Sequence, residues 1–290
     1  MRAERYLAVL RKRGVIFVLK DVTLGQFFPG NSLLHRADPR SKLILTVLYI
    51  ITLFIASNII SFAILLFFSL LMILISNISV RVILKGFKPV IFILMFTFLI
   101  NVFFTKGETV LFNAGFLTVY AEGLYKAFIM SLRILMLINV TCLLMSYTTS
   151  PIMLTDAIEQ LFAPLKRIKV PVHEFAMMMT IALRFIPTLI EETDKIMNAQ
   201  KTRGADFSEG GLIKKAKALI PVLVPLFVSS FRRADELAVA MECRCYRGGE
   251  GRTRMTTLHY TRTDLALATM FVVITASVIV ANIYLPIMSF

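Results

Sequence analysis

The sequence predicts an all-α polytopic membrane protein with about five transmembrane helices and a cytoplasmic region of long amphipathic helices. Hydrophobic residues make up 57% of the 290 residues, and many of them form long apolar runs of the kind that cross bilayers. The chain also carries 32 lysines and arginines against 18 acidic residues, and these cations flank the apolar runs. This combination excludes an ordinary soluble domain and argues against a nucleic-acid-binding surface, which would interleave cations with aromatic residues.

Five apolar stretches are predicted to cross the membrane. They cover residues 43–56, 59–78, 90–104, 127–145 and 265–283. The first and third are shorter than the roughly 20 residues of a typical span, so we expect flanking residues or helix tilt to complete them. Arg133 lies inside the fourth stretch, where an ionisable group is costly. We expect it to contact a buried protein group rather than to line a transport path.

The distribution of positive charge predicts the orientation of the chain. If the chain starts in the cytoplasm and crosses five times, 29 of the 32 lysines and arginines lie on one side. The positive-inside rule makes that side cytoplasmic. We therefore expect a cytoplasmic N-terminal segment, four transmembrane helices, a cytoplasmic region with two long helices, and a last transmembrane helix with the C-terminus. These segments cover residues 1–40, 41–147, 148–262 and 263–290, respectively.

Two long helices are predicted within residues 148–262. One begins near Pro171 and ends after Arg203. Its apolar residues recur at the spacing of one buried helix face, which predicts a helix here. These positions are Phe175, Met178, Met179, Ala182, Phe185, Ile186 and Leu189. The other runs from Gly211 to about Tyr246 and contains two prolines that should bend it.

The apolar centres of these helices leave two interpretations open. They are either further membrane spans or helices that lie at the cytoplasmic boundary and pack against membrane partners. Glu174 and Arg184 interrupt the first apolar stretch, and Pro221 and Pro225 interrupt the second. We therefore favour the boundary position. In both arrangements the arginine at each helix end lies on the aqueous side.

The sequence contains no evident catalytic, cofactor-binding or metal-binding motif. No P-loop pattern occurs, so we do not expect the chain to bind ATP through one. The three histidines are isolated, and Cys243 and Cys245 have no further Cys or His at metal-ligand spacing. We therefore expect no cofactor, no metal site and no catalytic residue, and a membrane-embedded enzyme is the weaker of the alternative functions.

Two arginines end the two long helices in matching settings. Ala199 precedes Arg203 by four residues, and Ala240 precedes Arg244 by four, so each pair lies on one helix face. A small residue allows another protein to approach closely, and a guanidinium offers a planar set of donors to carboxylates or carbonyls. Favourable interaction with the helix dipole would explain either arginine alone. Because the arrangement occurs twice, we predict two docking tips.

Five stretches of the sequence form a distinctive set. They are LKDVTLGQFFPGNSLLHRADPRSKL near the N-terminus, followed by TTSP, ALRFIPTLIEE, AQKTRGADF and RRADELAVAMECR. Together they resemble the EcfT family, the transmembrane components of energy-coupling factor (ECF) transporters. The resemblance covers about residues 18–285 and leaves residues 1–17 without a counterpart.

The resemblance implies two crossed coupling helices, each ending in a motif usually written Ala-Arg-Gly. These motifs dock into grooves on two cytoplasmic ATP-binding-cassette (ABC) ATPase subunits. Here they correspond to Thr202-Arg203-Gly204 and to Cys243-Arg244-Cys245, and the second keeps only the arginine. The predicted ATPase-docking residues are Arg203, Arg244, Ala199, Gly204 and Ala240, with Glu191, Glu192, Arg233 and Glu242 as secondary candidates.

The resemblance further implies a separate small membrane subunit that binds the imported substrate, a vitamin or a transition-metal ion. The chain itself would couple ATP hydrolysis by its partners to import across the cell membrane, with the lipid bilayer around it and no nucleic-acid partner. The alternative is a self-contained secondary transporter or channel. In that case Arg133 and Glu174 would line a path, and the chain alone would transport without nucleotide.

Overall fold

The computed structural model describes residues 27–28, 30–107, 109–114, 117–205, 207, 211–249 and 257–284. Most of these residues are helical, which confirms the predicted all-α polytopic class. The α-helices are α1 (Leu33–Arg36), α2 (Pro39–Ile55), α3 (Ile59–Ser76), α4 (Val80–Phe104), α5 (Ala121–Thr141), α6 (Pro151–Leu161), α7 (Val172–Thr202), α8 (Leu212–Cys243) and α9 (Arg262–Tyr284). A π-helical turn, Cys142–Tyr147, continues α5, and a 3-10 helix, Ala163–Ile168, follows α6. Predictions for residues 1–26 and 285–290 lie outside the described residues.

Two paired strands lie between α4 and α5. They are β1 (Val110–Ala114) and β2 (Leu117–Tyr120), and they pair antiparallel with Val110 opposite Tyr120. The strands have five and four residues, too few for an alternation of apolar and polar residues to predict them. This hairpin is therefore an addition to the predicted architecture.

Five helical segments in the described part of the chain are long and apolar enough to cross a membrane. They are α3, α4, α5 with its π-helical turn, α7 and α9. α2 contains the first predicted span and has 17 residues. α7 has 31 residues, or about 46 Å of helix at 1.5 Å per residue. Its length and composition permit a span. Both interpretations of this helix, a membrane span and a helix at the membrane boundary, therefore stay predictions.

Local signals explain where several helices begin and end. Asp38 caps α2 and is followed by Pro39 at the first helical position, where the missing N–H costs nothing. Ser150 accepts a hydrogen bond from the Met153 N–H at 3.3 Å and so caps α6. α4 begins at Val80, earlier than the predicted span, which starts at residue 90. Its first turns carry cations, which interrupt an apolar run in the sequence but do not stop a helix.

The described residues divide into two compact units. One contains residues 158–249, and the other contains residues 27–157 and 257–284. We call the second the membrane unit. In its core, the rings of Tyr49, Phe68 and Phe271 pack together, with 4.7 Å between the centroids of Phe68 and Phe271. These residues join α2, α3 and α9 around one buried cluster.

Arg133 on α5 has a protein partner, as predicted. Its Nη2 donates to the Ala56 carbonyl oxygen at 3.0 Å, and its guanidinium lies 5.1 Å from the ring centroid of Phe62. Ala56 follows the last residue of α2, where carbonyl groups lack partners within the helix and carry partial negative charge. Arg133 therefore connects α5 to the α2–α3 turn, which gives this intramembrane cation a structural role.

A network of charged residues joins the starts of α2 and α9. The Asp38 N–H donates to Asp264 Oδ1 at 2.7 Å, and the Asp38 carboxylate accepts hydrogen bonds from the backbone and side chain of Arg40. Arg40 also donates to the Leu258 carbonyl at 3.1 Å and stacks on Tyr260. Burial raises the pKa of the Asp38 carboxyl, but the hydrogen bonds and charge of Arg40 lower that pKa more. We call this network the α2–α9 junction.

Lys42 extends the α2–α9 junction to the end of the π-helical turn. Its side chain is buried, and its Nζ donates to the Thr148 carbonyl at 2.9 Å and to the Thr149 hydroxyl at 3.3 Å. A buried ammonium requires such partners because desolvation is costly. The sequence D-P-R-x-K at residues 38–42 thus connects three separate parts of the membrane unit.

Candidate docking site

Helices α7 and α8 lie side by side and run in opposite directions. Glu192 of α7 accepts hydrogen bonds from Ser229 and from Arg233, the latter at 2.8 Å between Oε2 and Nη2. Gln200, farther along α7, donates to the carbonyl of Pro221, which lies earlier in α8, at 3.4 Å. Because the contacts advance along α7 while they retreat along α8, the pair is antiparallel.

The far end of α8 lies beside the start of α7. A Cβ placed on Gly249 would lie 2.5 Å from Cδ2 of His173, so the chain after α8 passes directly against this ring. His173 in turn forms a hydrogen bond with Glu159, with 2.8 Å between Nδ1 and Oε1. The same register places Arg244 beside a residue of α7 that is about two dozen positions before Arg203. At 1.5 Å per residue, the two arginines are therefore roughly 35 Å apart along the pair.

The first arginine occupies the C-cap of α7. The Gly204 N–H donates to the Lys201 carbonyl at 3.1 Å, and the Ala205 N–H donates to the Gln200 carbonyl at 3.0 Å. These two bonds, with a left-handed residue between them, define a Schellman motif. Gly204 is that residue, with φ of 89°, a conformation that costs glycine little.

The second arginine occupies the C-cap of α8 in the same motif. The Cys245 N–H donates to the Glu242 carbonyl at 2.8 Å, and the Tyr246 N–H donates to the Met241 carbonyl at 3.0 Å. Cys245 adopts the left-handed conformation with φ of 57°, so the missing glycine does not change how the helix ends. The two arginines therefore stand in equivalent backbone positions at opposite ends of the helix pair.

Most of the predicted docking residues are exposed at these two ends. They are Arg203, Arg244, Ala199, Gly204, Ala240 and Glu242, whereas Glu191 is exposed near the middle of the pair. Glu192 and Arg233 are half-buried and bind each other between the helices. The structure thus brings these two secondary candidates together as a link between α7 and α8, while their part in docking stays a prediction.

Several residues that position the tips could not be recognised in the sequence. Ser229, Gln200, Glu159 and His173 make contacts with partners 14 or more residues away, which no local periodicity indicates. Gly249 carried a weak signal, because a Gly-Gly pair after a helix marks a backbone that bends or passes close to another group. The described residues contain no group of three or more His, Cys, Asp or Glu side chains that could hold a metal ion.

The helix pair also presents a large exposed apolar surface. Phe175, Met178 and Met179 of α7 are more than half exposed in the chain alone, so the described part of the chain does not cover the helix face that the apolar periodicity marks. Several positions of α8 are similarly exposed: Ile220, Leu223, Val224, Phe227, Val228 and Phe231. Periodicity detects an apolar stripe, but it cannot distinguish burial within the chain from cover by lipid or another protein.

Comparisons with known proteins identify close relatives of this chain. The family model CbiQ, described as a cobalt transport protein, matches residues 30–257. A Ruminiclostridium cellulolyticum protein named energy-coupling factor transporter transmembrane protein EcfT is 56% identical over 256 residues, covering 88% of this chain and 95% of the relative. Proteins of the same name from Clostridium kluyveri and Bacillus subtilis are 51% and 47% identical, covering 92% and 89% of this chain and 99% and 97% of the relatives.

Proposed function

Because this chain belongs to the EcfT family of energy-coupling factor transporter transmembrane proteins, we propose that it is the energy-coupling subunit of an ECF-type ABC importer. Family membership confirms the resemblance that its motifs indicate, and it makes the chain a multi-pass membrane subunit of a transporter. In the proposed complex, two cytoplasmic ABC ATPase subunits hydrolyse ATP. A separate small membrane subunit binds the substrate, which is a vitamin or a transition-metal ion.

The matched ends of α7 and α8 are the observation that carries this proposal. Arg203 and Arg244 are exposed, occupy the C-caps of their helices and follow an exposed alanine one turn earlier. A guanidinium in this position can enter a groove and donate to carboxylates or to unpaired carbonyl groups. Two equivalent tips at opposite ends of one helix pair fit two ATPase subunits better than one.

The antiparallel pair offers a route from the tips to the membrane. The link from Glu192 to Ser229 and Arg233 and the contact from Gln200 to Pro221 hold α7 and α8 together. A displacement of either tip should therefore move both helices. We propose that the exposed apolar surface of the pair contacts the substrate-binding subunit, so that ATP-driven movement of the ATPases reorients that subunit.

We also propose that the N-terminus and the region 148–262 are cytoplasmic. The positive-inside distribution of lysines and arginines supports this orientation. It places both arginine tips in the compartment that contains ATP. A cysteine-accessibility assay in intact cells would test it, since the exposed Cys243 should react only with a membrane-permeant reagent.

Substitution of the tip arginines tests the proposed docking. We expect Arg203→Ala and Arg244→Ala each to weaken co-purification with the ATPase subunits, and the double variant to lose it. Truncating one member of a charge pair that becomes buried on binding costs about 2 to 5 kcal/mol, or about 30-fold or more in affinity. Lys195→Ala on α7 and Arg232→Ala on α8 are matched controls, because both are exposed cations but lie near the middle of the helix pair rather than at its ends.

The controls should retain both ATPases and substrate uptake at the level of the unmodified chain. Normal co-purification and uptake by both tip variants would refute the docking assignment. Nucleotide-independent transport by the chain alone in liposomes would instead support a secondary transporter or channel. Because Arg133 binds the Ala56 carbonyl, this residue does not support the alternative of a secondary transporter or channel.

A further inference from the structure

The segment between α6 and α7 combines cations with large apolar side chains on an exposed turn. We call residues 162–171 the basic connector. It contains Lys166, Arg167 and Lys169 and no acidic residue. Every residue from Phe162 to Val170 is exposed. The connector therefore carries a net charge of about +3 with no carboxylate inside it to neutralise that charge.

Four apolar side chains are interleaved with these cations. Ile168 is 76% exposed, and Phe162, Leu165 and Val170 are also exposed. Single exposed apolar residues are ordinary, but a cluster of them within one short turn marks a surface that contacts lipid or protein. Charge and apolar area thus occur at the same place.

The backbone of the connector is closed by its own hydrogen bonds. The Leu165 N–H donates to the Phe162 carbonyl at 2.9 Å, and the Lys169 N–H donates to the Lys166 carbonyl at 3.0 Å. Lys169 has a left-handed φ of 61°, which reverses the chain before α7 begins. The turn therefore presents its side chains as a defined surface.

We propose that the basic connector binds the surface of a bilayer that contains anionic phospholipids. Lysine and arginine side chains bind phosphate groups, while apolar side chains enter the boundary between headgroups and acyl chains. Long basic side chains can satisfy both environments, because their stems are apolar and their ends are charged. The chain already spans a membrane, so such a surface is available on both faces.

The charge favours lipid over an acidic protein as the occupant. An acidic protein surface would satisfy the three cations, but it would leave the 76% exposed Ile168 against carboxylates. An anionic bilayer offers phosphate and hydrocarbon within a few ångströms of each other, which matches the interleaving in this turn. This inference does not depend on ATPase docking at Arg203 and Arg244.

A single tryptophan tests the proposal directly, because the chain contains none. The full chain with Ile168→Trp would be reconstituted in vesicles of phosphatidylcholine with increasing amounts of phosphatidylglycerol brominated on its acyl chains. We expect blue-shifted emission and strong quenching by the brominated phosphatidylglycerol. Equal amounts of brominated phosphatidylcholine should quench the emission less. Phe162→Trp is a second probe in the same turn and should respond in the same way.

A charge-neutral variant separates the electrostatic part of the interaction. Lys166→Gln, Arg167→Gln and Lys169→Gln in the Ile168→Trp chain should remove the preference for phosphatidylglycerol. Any one of these substitutions alone should raise the phosphatidylglycerol fraction for half-maximal quenching by up to about fivefold, because one cation near an anionic surface contributes about that factor. Val273→Trp on α9 is a control that brominated lipids of both headgroups should quench equally.

Unshifted and unquenched emission from both connector probes, with Val273→Trp quenched normally, would overturn the proposal. Equal quenching by the two brominated lipids would also overturn it, because the cations would then have no role. If the probes became shielded only when other transporter subunits were added, a protein rather than lipid would cover the connector. The proposal would fail in that case too.

Discussion

At the level of single residues, Cys245 occupies a backbone conformation that favours glycine. Its φ of 57° lies in the left-handed region, where a side chain costs about 1 to 2 kcal/mol. Gly204 meets the same requirement at the other tip without that cost. The two docking tips thus have the same hydrogen-bond geometry but different intrinsic stabilities.

A reciprocal pair of substitutions would measure this difference. We expect Cys245→Gly to stabilise the chain by about 1 kcal/mol and Gly204→Ala to destabilise it by a similar amount. A Cβ on Gly204 would have no atom within 4 Å, so the cost there comes from backbone conformation alone. Thermal unfolding of the purified chain in detergent would give both values. If the unfolding temperatures of the two variants did not change, or changed in the same direction, the assignment of Schellman motifs would be contradicted.

At the level of elements, the register of α7 against α8 depends on contacts between residues far apart in sequence. Glu192, Ser229 and Arg233 join the middle of the pair. His173 and Gly249 join one end, where the ring takes the space that a Cβ would occupy. Both contacts position Arg244. Glu192 and Arg233 are also secondary docking candidates, whereas Ser229, His173 and Gly249 are not.

A double-mutant cycle tests whether the close approach at His173 sets this register. Gly249→Ala should destabilise the chain by about 1 to 3 kcal/mol, because the added methyl overlaps the imidazole. His173→Ala removes that overlap, so the double variant should be more stable than the sum of the two single changes predicts. Thermal unfolding measures all three variants. Strict additivity would show that the two residues do not interact.

At the level of the whole molecule, the α2–α9 junction joins helix starts separated by more than 200 positions in sequence. Asp264 accepts hydrogen bonds from the Asp38 N–H and from the N–H and hydroxyl of Thr261, each at 2.7 Å. Lys42 connects the same region to Thr148. Helices α2 and α9 are thus held together by polar groups as well as by the aromatic core.

Removal of the Asp264 carboxylate should destabilise the membrane unit. We expect Asp264→Ala to cost about 3 kcal/mol, because it leaves the buried Asp38 N–H without its acceptor and removes one of the two carboxylates that interact with the buried Lys42 ammonium. Thr269→Ala is a matched control on the same helix, since its exposed hydroxyl bonds only to the Ala266 carbonyl nearby. Thermal unfolding in detergent compares the two. Equal, small effects would mean that the junction contributes little.

Local sequence patterns predicted the helical class, the apolar spans and the two exposed arginine ends. Each of these features depends on residues close together in the chain, such as the run 59–78 or the spacing from Ala199 to Arg203. The partner of Arg133 and the link from Glu192 to Arg233 could not be predicted, because they join distant positions. What covers the exposed ring of Phe175 also could not be predicted, since an apolar stripe does not specify its partner.

The antiparallel arrangement of α7 and α8 has a consequence for symmetry. Two helices that run in opposite directions and end in the same motif are related by an approximate two-fold rotation. A partner that binds both tips in the same way must then present two equivalent surfaces, roughly 35 Å apart and related by a half-turn. That symmetry is broken at Gly204 and Cys245. Two identical partner surfaces would therefore contact a glycine at one tip and a cysteine at the other.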